Sequence, residues 1–259
     1  MSRLDYSHAA RQRSKPVTDT KNKKPLNKRA YGSIPHLPGS RLGPNDTYII
    51  NEGQARILTE KRRDGFDTIV VQEKLDGSCV AVAKVNGEII PLIRAGYKAT
   101  DSPHAMHHLF HEWAMAREGT FKFILEDGER LVGEWLAQAH GTKYAIKYSQ
   151  VFAPFDIMRG DERLPHDAVL ERVMHEGFWM PPLLHVGGPL PPSEAMQMLG
   201  ERGFFGAEKP EGVVYRCERN GRVEFLAKFV RQDYQPGCYL LEFGGTEDVW
   251  NWHPDGATH

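Results

Sequence analysis

From residue 68 onward the chain sets short apolar, β-branched runs between turn residues, a pattern of period two rather than of helical spacing. "TIVVQE" reads as a strand over 68–73. "SCVAVAKV", Asn86-Gly87 and "EIIPLIRA" together predict a hairpin, because Asn-Gly accepts the positive φ angles that a two-residue turn demands. The same form returns in "GVVYRC", Asn220-Gly221 and "RVEFLAKFV". "LVGEWLA" (131–137) and "QVFAPFDI" (150–157) predict two more strands. Helical spacing predicts a helix over 165–176 that stops at Gly177, and another over 193–202, with Ser193 as N-cap and Gly203 just past the end. Met106, Leu109, Phe110 and Trp113 form the buried stripe of a further helix. His104, His107, His108 and His111 repeat that spacing displaced by two residues, about 200° round the helix, and are expected on its solvated face.

Several charged residues interrupt the strand pattern: Lys74, Asp76, Arg94, Glu134, Asp156, Glu211 and Lys228 all lie in or beside predicted strands. A charge on a sheet face turned toward a core is costly without a partner. If the two hairpins belong to facing sheets, these groups converge on one cleft; if not, each is a surface charge on a solvated face.

Composition sets the frame. The chain has 259 residues, of which 40% are hydrophobic, enough for a folded core, and lysine plus arginine (33) nearly balance aspartate plus glutamate (34). The balance is uneven along the chain. Residues 1–30 hold nine basic side chains against Asp5 and Asp19, with few large apolar ones, and read as a basic, flexible arm that either solubilises the protein or grips phosphates. Cys79, Cys217 and Cys238 form no CxxC pair, which argues against a disulfide framework or a thiolate zinc site and points to a reducing, cytoplasmic setting. Neither an apolar leader nor a run of about 18 apolar residues is present, so no membrane association is expected.

"EKLDG" (73–77) resembles the lysine motif of the covalent nucleotidyltransferases, the superfamily of RNA ligases, DNA ligases and mRNA capping enzymes. Five further elements follow in that superfamily's order: "RAG" (94–96), "GEWL" (133–136), "FDI" (155–157), "EGVVYR" (211–216) and "AKFV" (227–230). "GEWLAQAHGTKY" and "IPHLPGSR" (34–41) are most similar to the RNA ligases. The resemblance implies an α+β nucleotidyltransferase (ATP-grasp-like ligase) domain of two packed, mainly antiparallel sheets with flanking helices, over residues 31–235, followed by a short extension at 236–259. It also implies an ATP-dependent RNA ligase that joins 5′-phosphate and 3′-hydroxyl RNA ends through lysyl-AMP. A DNA or mixed-strand ligase, a GTP-using capping enzyme and a non-catalytic nucleic-acid-binding protein are the alternatives. DNA ligases and capping enzymes continue into an OB-fold domain. The 28 residues after Arg231 (259 − 231) are too few for one, so no C-terminal OB domain is expected, and the catalytic domain itself, the arm or a partner protein is expected to grip the substrate in its place.

By the same resemblance Lys74 is the nucleophile, with Lys228 and Glu211 as its catalytic neighbours. Glu73, Asp76, Arg94, Glu134, Phe155 and Lys228 surround the nucleotide, Phe155 stacking on adenine and Glu134 meeting the ribose. Glu211 and Asp76 hold magnesium or manganese. Many members have two lysines separated by one residue, where this chain has Lys228-Phe229-Val230-Arg231, so either Arg231 takes over the second cationic role or that role is weaker here. The chemistry adds one demand. A lysine amine attacks a phosphate only when neutral, and free lysine titrates near 10.4, so Lys228 and the metal are expected to push the Lys74 amine down.

Overall fold

The computed structural model describes residues 23–206 and 208–256. The first 22 residues of the basic arm lie outside the described residues. Residues 24–30 lie against a sheet edge, Ala30 fully buried and its N–H bonded to the Arg94 carbonyl at 3.1 Å.

Two antiparallel sheets carry the fold. In one, β1 (Asp67–Lys74), β7 (Leu183–Gly187), β8 (Gly212–Arg219) and β9 (Arg222–Val230) run in the order β7-β1-β8-β9. In the other, β2 (Ser78–Val85), β3 (Glu88–Ile93), β4 (Glu129–Trp135), β5 (Phe152–Arg159) and the two-residue β6 (Glu162–Arg163) run β3-β2-β4-β5-β6. The predicted hairpins are β2–β3 and β8–β9, one in each sheet. Their turn residues have the positive φ values expected: 52° and 80° at Asn86 and Gly87, 50° and 74° at Asn220 and Gly221.

Helices cover the outer faces of the sheets. The helices α2 (Ala105–Met115), α3 (Glu118–Ile124) and α4 (His166–Met174) bring Phe110, Trp113, Phe121 and Val169 onto Val80, Val82, Leu131 and Trp135. The helices α1 (Glu52–Thr59) and α5 (Pro192–Leu199) bring Leu58 and Leu199 onto Ile69, Val71, Val213 and Tyr215. The strands alternate accordingly. Along β2 the bulky Val80 and Val82 face the helices while Cys79, Ala81 and Ala83 face the other sheet, and that choice of small side chains leaves room between the sheets.

Two boundaries depart from the sequence reading. The fifth helix starts on Pro192 with Pro191 as its cap, because proline's fixed φ and missing N–H suit a first turn, and it ends at Gly200 (φ 68°), not Gly203. The strand β7 carries no clean alternation: Leu183 and Val186 are exposed on a sheet edge.

Candidate active site

Strand parity decides which polar residues meet. On β1, Gln72 and Lys74 face the gap between the sheets; on β8 and β9 so do Val214, Arg216, Leu226 and Lys228, and on β4 so does Glu134. Together they line a cleft of about 460 Å³. Two glycines of the resembling motifs are there for close approach. A Cβ on Gly77 would fall 2.4 Å from the Trp135 carbonyl oxygen, and one on Gly133 would fall 2.5 Å from the Phe152 ring.

Lys74 is ringed by carboxylates. Its Nζ donates to Glu211 Oε2 at 2.6 Å, while Glu134 Oε1 accepts the Gly77 N–H at 3.0 Å and Asp76 Oδ2 accepts the Gly141 N–H at 2.6 Å. Burial pushes the Lys74 amine down, but Glu211, then Glu134 and Asp76, outweigh it and hold the amine above the ordinary lysine value. This reverses the expected direction. The depressed amine is Lys228, lowered by burial and by the Lys74 charge against the pull of Asp46. Lys228 is hydrogen-bonded to Asp46, which also lies 3.2 Å from His36 Nε2. His36 belongs to the "IPHLPGSR" segment, which runs beside β9 with Leu37 N–H on the Lys228 carbonyl and Lys228 N–H on that of Pro35.

Burial also pushes Glu134 up to about 7, with Asp76 adding to the push and Lys74 opposing it. Glu211, 6% exposed, is likewise pushed up by burial against the attraction of Lys74. Among the described residues no three His, Cys, Asp or Glu side chains gather closely enough to hold a metal alone. A hard divalent ion that keeps waters and phosphate oxygens needs only one or two carboxylates, and Glu211, whose side chain bonds to Lys74 alone among the described residues, with Asp76 near it, fits that demand.

The remaining candidates divide. Phe155 lines the cleft because of a β-bulge: Val132 pairs with Asp156 and Gly133 with Pro154, so Phe155 is the unpaired residue, its ring edge-on to Tyr31 at 5.2 Å. Asp156, fully buried, is committed to structure. It accepts from Tyr31 at 2.7 Å and Arg163 at 3.2 Å, and pairs across the sheets with Arg216. Arg94 stands exposed at the mouth, its Nη2 on the Gly32 carbonyl at 3.1 Å and Ser33 Oγ at 3.2 Å. The Glu73 carboxylate is not brought into the cleft. It turns to the opposite face of β1, 1% exposed, where it accepts the Phe204 N–H at 3.0 Å and burial pushes it up to about 7. Arg231 also turns away, to the Pro210 carbonyl at 2.8 Å and Asp233 at 3.0 Å.

The histidine reading needs one correction. His107 is 8% exposed and bridges Ser78 Oγ (2.8 Å) and Ser102 Oγ (2.6 Å) at the cleft wall, where burial and the nearby His104 and His140 push it down to about 4. It flanks the Phe110 stripe closely enough to be covered with it. Sequence reasoning also missed Gln72, Arg216 and Asp46. Strand alternation could have found the first two, whereas nothing local marks Asp46.

The family model described as RNA ligase matches residues 67–230. No curated protein matches the chain. Among solved structures, an archaeal ATP-dependent RNA ligase aligns with a TM-score of 0.51 at 16% identity, covering 77% of this chain and 48% of its own. A Naegleria gruberi RNA ligase with PPi aligns at 0.52 and 16% identity (85% and 62%), and a mutant of that ligase with ATP and Mn at 0.50 and 18% (76% and 59%). These likenesses show the nucleotidyltransferase fold. The chain spans about half the length of the first.

Proposed function

The chain belongs to the RNA ligase family, and from that premise we propose that it is an ATP-dependent RNA ligase working through a lysyl-AMP formed on Lys74. The observation that carries this reading is the placement of Lys74: a single amine at the end of β1, turned into a nucleotide-sized cleft and held by carboxylates rather than buried in a core.

In the first step Lys74 Nζ attacks the α-phosphorus of ATP. A P–N bond forms, the bond to the β-phosphate oxygen breaks and pyrophosphate leaves. In the second, an oxygen of an RNA 5′-phosphate takes the AMP group and restores the amine. In the third, a 3′-hydroxyl displaces AMP and seals the strand. Phosphoryl transfer leaves the protein with positioning and charge neutralisation. Glu134 and Phe155 position the nucleoside, Arg94 meets it at the mouth, and Lys228 moves from Asp46 to the phosphates. Glu211 and Asp76 would hold magnesium or manganese, which would supply charge neutralisation for the phosphate oxygens. Burial and the Lys228 charge favour the neutral nucleophile, while Glu211, Glu134 and Asp76 favour the ammonium, so every one of these carboxylates that is engaged elsewhere brings the amine closer to its reactive form. The reading includes RNA ends as substrates and a reducing cellular setting.

The test is incubation with α-labelled ATP and a divalent metal, followed by a denaturing gel and intact mass. Label on the wild type and none on Lys74→Ala is the expected result. Label from GTP alone would move the reading to capping chemistry. No label from either nucleotide, on folded protein free of preloaded AMP, would overturn it.

A further inference from the structure

A second cavity, of about 390 Å³, lies beside the cleft and shares Gly32 with it. Its charge is one-sided. Lys28, Arg29, Arg130 and Arg163 line it against a single carboxylate, Asp161, which is already bonded to Lys28 at 2.9 Å. Arg163 is tied to the buried Asp156 and lies over the Tyr31 ring.

Arg130 is the unusual member. It is only 3% exposed, yet among the described residues no carboxylate pairs with it. Nε donates to the Ala30 carbonyl at 2.6 Å, and Nη2 donates to the Gly160 carbonyl at 2.8 Å and approaches Met158 Sδ at 3.5 Å. Nη1 has no acceptor among the described residues. A buried guanidinium bound only to neutral groups and facing a cavity carries an unmet demand for an anion. Burial lowers its pKa and Arg163 adds to the push, against the pull of the Asp161 and Asp156 charges, neither of which bonds to it.

Position supplies the ligand. Arg130 and Glu134 share the inner face of β4, four residues apart, which is roughly 13 Å at about 3.3 Å per residue. The cavity therefore sits one step along the same sheet face from the reacting amine, with residues 28–32 as its wall. We propose that Lys28, Arg29, Arg130 and Arg163 form a second anion site that holds a backbone phosphate of the RNA strand being joined, away from the end that reacts. This rests on the ligase reading for the identity of the strand. The cation cluster itself does not depend on that reading.

The experiment compares wild type with Lys28→Glu/Arg29→Glu, whose side chains stand at the rim, and with Arg130→Gln. A charge-reversed control, Lys122→Glu/Lys147→Glu, sits on the helical side of the sheet. The readouts are affinity for a 5′-phosphorylated RNA strand over a salt series and, separately, labelling of Lys74 by ATP, which uses no RNA. Expected for the rim variant is at least a tenfold loss of RNA affinity near 0.1 M salt. Its log–log salt slope should be smaller by about 0.7 for each phosphate that the variant no longer neutralises, and the control should match wild type. Arg130→Gln, verified as folded, should lose affinity in the same direction. Unchanged RNA affinity in the rim variant would overturn the proposal. So would a loss confined to ATP labelling, or one that inorganic pyrophosphate alone reproduces by competing in the wild type, since either assigns the cavity to the nucleotide's phosphates. Failure of wild type to take label would strike the ligase reading instead, and RNA affinity would still judge the site.

Discussion

Glu73 stands next to the reacting lysine in sequence and on the opposite face of its strand in space, and that position makes a quantitative demand. Its carboxyl is 1% exposed, has one donor in the Phe204 N–H, and is pushed by burial from an ordinary 4.5 up to about 7. The folded state therefore prefers the protonated form. Its favourable contribution is fully present below about pH 4.5 and is lost as the pH rises through 7, because the unfolded chain then ionises more readily than the folded one. A rise of roughly 2.5 pH units, at about 1.36 kcal/mol each, makes the ionised carboxylate cost about 3 kcal/mol at pH 8, and about 2.5 kcal/mol of that develops between pH 5 and pH 8. Glu73→Gln removes the titration and keeps an oxygen for Phe204. Its amide also places two donors where Oε1 has no partner, a pH-independent penalty of about 1–3 kcal/mol. The decisive quantity is thus the change with pH. Urea unfolding of both proteins at pH 5 and pH 8 should show the variant gaining about 2.5 kcal/mol on the wild type between the two. The same difference at both pH values would refute the argument that burial holds this carboxyl neutral.

Three more outcomes follow from the same geometry. In Glu211→Gln the Lys74 amine loses its closest anion, so its reactivity with an acylating reagent, read by peptide mass, should reach its midpoint at lower pH than in wild type; an unmoved midpoint would mean that the carboxylates do not hold the proton. Asp156→Asn leaves the 4%-exposed Arg216 side chain without its counter-charge between the sheets and should cost roughly 3–5 kcal/mol in urea unfolding, whereas a loss below about 1 kcal/mol would show that the pair is dispensable. Asp46→Asn frees Lys228 from a carboxylate that a phosphate must displace, so the KM for ATP in Lys74 labelling should fall several-fold; a rise would show that Asp46 assists nucleotide binding.

What the sequence reveals here, and what it conceals, separates by the range of the interaction. Asn86-Gly87 and Asn220-Gly221 announce their hairpins because positive φ is a property of two adjacent residues. The partner of Lys228 lies 182 positions away and leaves no local mark, and the bulge that presents Phe155 exists only as a mismatch between β4 and β5. Lys28 and Arg29 read as an unstructured arm because their composition is that of one, yet the Ala30 N–H and Tyr31 ring that follow dock the segment onto the sheet. Glu73 is the sharpest case. A linear motif names neighbours in order, but a strand sends neighbours to opposite faces, so "EKLDG" places Lys74 in the cleft and by the same rule excludes the Glu73 side chain from it. On a regular strand, a motif residue adjacent to one that faces the cleft reaches the nucleotide only through its backbone or through a bulge. Phe155, on a strand that has such a bulge, shows what it takes for the side chain itself to arrive.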